Sequence, residues 1–185
     1  VPLQVGSTMK PIGAYALALE KNKINWSTPL LDAPVRQLED EKTGELKDWP
    51  ANFSKTYAED DILVVDALAQ SINTIAVRVG EQAGVGNIYR FMKNSLGVTS
   101  LTPEDNDSGP MILGSQTHGI SPYELAGAYM MLGNGGSFTT LHCYTSVQTG
   151  YGREIAAPEL KTKQVLGTDT AYVMNRLLAQ VMQGS

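Results

Sequence analysis

The chain has 185 residues, 42% of them hydrophobic, and a formal net charge of −5. That is enough for one compact domain with a real core, and the acidic balance, with no Lys/Arg cluster interleaved with aromatics, excludes a nucleic-acid partner. A single cysteine, Cys143, excludes an intrachain disulfide framework and a cysteine-based zinc site, and is expected to be a small buried residue.

In chain order, Thr8 to Lys21 reads as a mostly buried helix through Ile12, Tyr15, Ala16, Leu17 and Leu19, with Pro11 tolerable only near its start. Leu30 to Asn52 is broken by Pro34, Gly44 and Pro50 and predicts a polar hairpin or loop around Asp40 to Gly44, where Glu41 is one of several acidic turn residues. Asp61 to Gln70 and Thr74 to Gln82 predict two short helices joined at Ser71-Ile72-Asn73, and Gly86 to Leu96 a third, stopped by Gly97. Ser121-Pro122-Tyr123-Glu124 is a strong helix start, with a cap serine, a proline at the first position and a capping-box glutamate. That helix ends at Gly133-Asn134-Gly135-Gly136; Ser137 to Val147 and Arg153 to Ile155 predict a hairpin around Gly150-Tyr151-Gly152, and Asp169 to Met182 a last helix before Gly184-Ser185. No stretch is long and apolar enough to cross a bilayer. The abrupt start and stop suggest a piece of a longer protein, so a missing leader or anchor carries no weight.

Ser7 and Lys10 are three residues apart at the start of the first helix, which puts hydroxyl and amine a turn apart on one face. With Ser7 at the N-cap, unpaired N–H groups and the helix dipole would favour an alkoxide and an oxyanion. A serine needs a base, and a lysine becomes one when desolvation lowers its pKa. Ser71 and Asn73 do not share a helical face, but on a tight turn both can point into one cleft while Ile72 anchors inward. Lys42-Thr43-Gly44 copies the third element of the Ser-x-x-Lys, Ser-x-Asn, Lys-Thr-Gly set. It sits between the first two elements among acidic turn residues, so it reads as a decoy. His118 and His142 lack metal-ligand spacing and read as surface or capping residues.

These residues resemble the transpeptidase domain of class A penicillin-binding proteins, over nearly the whole chain. The resemblance rests on Gly6-Ser7-Thr8-Met9-Lys10-Pro11, Trp49-Pro50-Ala51-Asn52, Ala67 to Thr74, Leu113-Gly114, Gly119 to Ala126, Ala128-Tyr129 and Gly133 to Gly136, with Val5 where the family usually has proline. It implies that Ser7 is the nucleophile, that Lys10 takes its proton, that Ser71 relays a proton to the leaving nitrogen, and that Asn73 binds the substrate amide and orients Lys10, with Thr74 a further substrate contact. The implied substrate is the D-Ala-D-Ala end of a peptidoglycan stem peptide, β-lactams would acylate Ser7, and no metal or organic cofactor is required. The implied location is the extracytoplasmic side of the bacterial cell membrane. A β-lactamase is disfavoured because no glutamate can be assigned to deacylation by water.

The resemblance further implies that residues 1–185 are a partial domain. The expected fold is mainly α with one or two small β-hairpins, the helical part of a serine β-lactamase/transpeptidase-like α/β fold whose central sheet is largely missing. The family's Lys-Thr-Gly strand would follow Ser185 and supply one of two oxyanion donors; removing one such donor costs about a hundred- to a thousand-fold in rate. The isolated chain is therefore expected to be slow or inactive, and its bare sheet-facing surface to self-associate. The alternative is a non-catalytic helical scaffold in which Ser7 and Lys10 are cap and surface residues.

Overall fold

The structure is a computed structural model and describes residues 1–40 and 42–183; Glu41 and the Gly184-Ser185 stop lie outside the described residues. A helical rod opens the core: a 3-10 turn (Gly6–Thr8), a π-helical turn (Pro11–Tyr15) and α1 (Ala16–Glu20) follow one another without a break. Residues 9–18 of this rod are all buried. Gly13 is required there, since a Cβ would lie 2.1 Å from the Met111 carbonyl oxygen.

β1 (Pro29–Leu31) pairs antiparallel with β4 (Asp61–Leu63), Pro29 opposite Leu63, and β2 (Arg36–Glu39) forms a hairpin with β3 (Leu46–Trp49). Then come α2 (Val64–Ala69), α3 (Asn73–Ala83), and α4 (Val85–Arg90) continued by a π-helical turn (Phe91–Ser95). A 3-10 turn (Pro103–Asp105) and a π-helical turn (Gly109–Leu113) lead to α5 (Pro122–Gly133). β5 (Ser137–Thr139) pairs with β8 (Thr162–Gln164), β6 (Val147–Gln148) with β7 (Glu154–Ala156), and α6 (Thr168–Gln183) closes the described chain. The fold is mainly α, and among the described residues every sheet is two-stranded.

One core joins the rod to α3, α4, α5 and α6 through Met9, Ile12, Ile75, Ile88, Met131 and Met174, each fully buried. The start of α5 matches the capping-box expectation: Ser121 Oγ accepts the Glu124 N–H at 3.2 Å and Glu124 Oε2 accepts the Ser121 N–H at 3.1 Å.

Several local expectations are corrected. Residues 61–63 are a strand and not a helical turn, because in Asp61-Ile62-Leu63 only Ile62 turns partly inward, the period-2 pattern that fits pairing with β1. Ser137–Thr139 pairs with β8, 23 to 27 residues on, so only Val147–Gln148 and Glu154–Ala156 form the expected hairpin. Cys143 is exposed. Ser7 lies inside the first 3-10 turn, whose N-cap is Val5.

Candidate active site

The rod, the α2–α3 turn, α5 and α6 converge on one cavity of about 240 Å³, lined by Ser7, Lys10, Ser71 and Tyr129 against Leu68 and Leu178. Ser7 is exposed at its mouth, whereas Lys10 is 1% exposed. The approach to Ser7 is held by backbone: Leu3 and Ile120 exchange N–H···O bonds of 3.0 and 2.8 Å, and the Gly6 N–H donates to Gly114 O at 3.2 Å. Gly114 sits at φ +77°, and a Cβ there would lie 2.2 Å from Gly6 O. The Leu113-Gly114 and Gly119-Ile120 motifs thus have a physical reason: they press against the segment that presents Ser7.

Lys10 Nζ contacts Ser71 O at 2.6 Å, Ser71 Oγ at 2.9 Å and Asn73 Oδ1 at 2.5 Å. The turn that makes this possible places Ser71 at φ +56°, a conformation costing an L-residue about 1–3 kcal/mol, with Ile72 buried beneath it. The Asn73 amide is oriented by its other end, Nδ2 donating to Ala51 O at 2.7 Å. No carboxylate pairs with Lys10 among the described residues.

Burial without a counter-charge lowers the Lys10 pKa from 10.5 to about 8. The three contacts fit both protonation states. An ammonium donates to all three oxygens; a neutral amine donates to Ser71 O and Asn73 Oδ1 and accepts the Ser71 hydroxyl proton on its lone pair. A proton can therefore pass between Nζ and Ser71 Oγ without moving a heavy atom.

Thr74 is fully buried, and its hydroxyl donates to Asp32 Oδ1 at 2.5 Å, so its side chain faces the core. That bond belongs to a support the sequence did not suggest. Asp32, 4% exposed, also accepts from Asn52 Nδ2 and the Ala58 N–H, both at 2.8 Å, and Asn52 Oδ1 accepts the Asn73 N–H at 3.0 Å. Asn52 was legible only within the Trp49-Pro50-Ala51-Asn52 motif, and Asp32 carried no local signal. Tyr129 was legible only as part of Ala128-Tyr129 on a helix. Its hydroxyl donates to Thr8 O at 2.7 Å, and burial pushes its pKa up to about 12, so it remains a donor at neutral pH.

Lys42-Thr43-Gly44 forms the tip of the β2–β3 hairpin and lines no part of this cavity. Asp40 Oδ1 accepts the Lys42 and Thr43 N–H groups at 2.9 and 3.1 Å, and Gly44 takes φ +71°. His118 and His142 are exposed, and no group of three metal-ligating side chains occurs among the described residues. No described helix is long and apolar enough to cross a membrane.

The family described as the penicillin-binding protein transpeptidase domain matches residues 2–185. Penicillin-binding protein 1A of Clostridium botulinum is 25% identical over 173 residues, 94% of this chain and 21% of that protein. Penicillin-binding protein 1B of Haemophilus influenzae is 29% identical over 170 residues, 91% of this chain and 20% of that protein. The chain therefore spans about a fifth of the length of these curated relatives. Among solved structures, penicillin-binding protein 1A from Haemophilus influenzae superposes with a TM-score of 0.79 at 21% identity, covering all of this chain and 30% of that one. The imipenem acyl-enzyme complex of penicillin-binding protein A from M. tuberculosis gives a TM-score of 0.75 at 18% identity, covering 98% of this chain and 44% of that one. With the match spanning residues 2–185 and the same fold in those structures, the chain belongs to the penicillin-binding protein transpeptidase domain family.

Proposed function

We propose that this chain carries the acylation half of a serine D-Ala-D-Ala transpeptidase that cross-links peptidoglycan stem peptides outside the bacterial cell membrane. The observation that carries the proposal is a buried, uncompensated lysine that shares a cavity with an exposed serine and bonds to Ser71 and Asn73. When the Ser71 hydroxyl rotates away from Nζ, the freed lone pair of neutral Lys10 takes the Ser7 Oγ proton as Oγ attacks the carbonyl carbon of the penultimate D-alanine. The proton passes from Nζ through Ser71 Oγ to the leaving nitrogen, the C–N bond breaks, and D-alanine departs, leaving an ester on Ser7. The amine of a second stem peptide attacks that ester, returning the proton to Ser7 and forming the cross-link. In a β-lactam the leaving nitrogen stays tethered to the acyl group, so the ester persists. Asn73 orients Lys10 and faces the substrate amide; no metal or cofactor enters any step.

A thioester analogue of a stem peptide tests this, because its leaving group needs no help from a proton. Slow thiol release is expected from the chain, lost in Ser7→Ala. Tyr129→Phe, which frees Thr8 O while keeping the ring, is expected to slow it by about tenfold, the worth of one hydrogen bond. Release unaffected by Ser7→Ala would favour the scaffold alternative. The chain is also expected to self-associate through α6, where Tyr172 and Met182 are 66% and 86% exposed. A single monomer species in sedimentation at high concentration would contradict that.

A further inference from the structure

A second cavity lies away from Tyr129, between the first turn of α5, the end of the 91–95 helical turn and the β5–β8 ribbon. Its volume is about 720 Å³, within the range of about 300–1,000 Å³ typical of small-molecule sites. The ribbon wall follows from strand geometry. With Ser137 opposite Gln164, Phe138 opposite Lys163 and Thr139 opposite Thr162, the two faces of the ribbon are fixed by alternation. One face is closed on itself, Ser137 Oγ to Gln164 Oε1 at 2.6 Å and Thr139 Oγ1 to Thr162 Oγ1 at 2.9 Å. The other presents Phe138, Thr140, Lys161 and Lys163 to the cavity.

The lining surface is mostly apolar. Leu96 is 1% exposed, and Leu141 lies against α5 at Gly127, where a Cβ would come within 2.3 Å of its Cδ2. The only carboxylate on the lining is Glu124. It is saturated: Oε1 accepts the Thr99 N–H and hydroxyl, each at 2.8 Å, and Oε2 accepts the Ser121 N–H at 3.1 Å and hydroxyl at 2.6 Å. Lys161 has a surface pairing with Glu159 at 3.0 Å, both side chains more than 70% exposed, which a screened pair of this kind holds only weakly. The cavity therefore offers an apolar floor and a cationic rim on a chain whose net charge is −5.

We infer that this cavity binds a small amphipathic organic anion from solution, its apolar body on Leu96, Phe138 and Leu141 and its acidic head at Lys161 and Lys163. No residue of this lining takes part in the serine chemistry proposed above, so the inference stands or falls separately.

Sodium decanoate, used far below micelle formation and followed by calorimetry and methyl NMR, is the probe. Saturable binding with shifts at Leu96 and Leu141 is expected. The exposed double variant Lys161→Glu/Lys163→Glu should weaken it at least tenfold, about 1.4 kcal/mol, and Thr140→Trp should block it by filling the cavity. Both changes are at the surface, and circular dichroism checks that each variant folds. Equal binding of decyltrimethylammonium, indifference to both variants, or no saturable binding up to about 1 mM would overturn the inference. Flotation with phosphatidylglycerol vesicles separates the sources: vesicle capture abolished by the same charge reversal, without binding of free decanoate, would assign the site to a lipid surface and overturn it as stated.

Discussion

The rate at which a penicillin acylates the chain is expected to rise about fiftyfold between pH 6 and pH 8 and then level off, because only the neutral amine of Lys10 is a base. The Lys10 pKa of about 8 sets that window. An ordinary, solvated lysine would keep the rate climbing to beyond pH 10. The cause is physical and local: three oxygens satisfy the amine's hydrogen bonding, but none belongs to a carboxylate, so burial penalises the charged form unopposed. Stopped-flow or quenched mass measurement of acylation across pH checks this. A rate that is flat from pH 6 to 9 would remove Lys10 as the base.

The same shift has a consequence for stability, with a definite sign. The unfolded lysine titrates near 10.5 and the folded one near 8, so between these values the unfolded chain binds more protons, and stability rises with pH. Below pH 8 the buried ammonium carries a penalty of about 3 kcal/mol relative to its neutral form. Urea midpoints should therefore increase from pH 8 to about 9, before tyrosine titration becomes appreciable.

The largest structural effect is expected at Asp32. Replacing it with alanine leaves the buried Thr74 hydroxyl and Asn52 amide, and the Ala58 N–H, without their acceptor, and should cost about 2–4 kcal/mol. Burial pushes the Asp32 pKa up, but the bonds from Thr74, Ala58 and Asn52 and the charge of Arg78 outweigh it, and the net shift is downward. The carboxylate's contribution is thus present above the ordinary aspartate range and lost as pH falls through the lower, folded value. Asn52 links Asp32 to the Asn73 N–H, so Asp32→Ala should also loosen Asn73 and slow acylation by tenfold or more under conditions where the variant remains folded. Denaturation in urea and acylation at pH 8 measure the two effects. A stability loss under about 1 kcal/mol would show that the network is not the support described here.

The helical skeleton was legible because its signals are local: the Ser121-Pro122-Tyr123-Glu124 start of α5 and the periodic run of α6 need no distant partner. The pairings of β1 with β4 and β5 with β8 were not, since each strand has only three residues and is chosen by a partner more than twenty positions away. Ser71-Ile72-Asn73 was legible as a turn aimed into a cleft, although the left-handed conformation of Ser71 has no sequence cue of the kind glycine gives. The core-facing side chain of Thr74 was not legible, because one residue along a helix start turns it from the direction of Asn73 towards Asp32. Asp32 itself gave no signal, being a lone acid after a short strand, with partners 20 to 42 residues distant.

Ser7 as a nucleophile activated by Lys10 can be checked by intact-mass spectrometry after incubation with a reactive penicillin, since covalent capture does not require turnover. One added penicillin mass is expected, mapped by peptide sequencing to Ser7 and absent in Ser7→Ala. An adduct that persists in Ser7→Ala, or that maps to another residue, would contradict it.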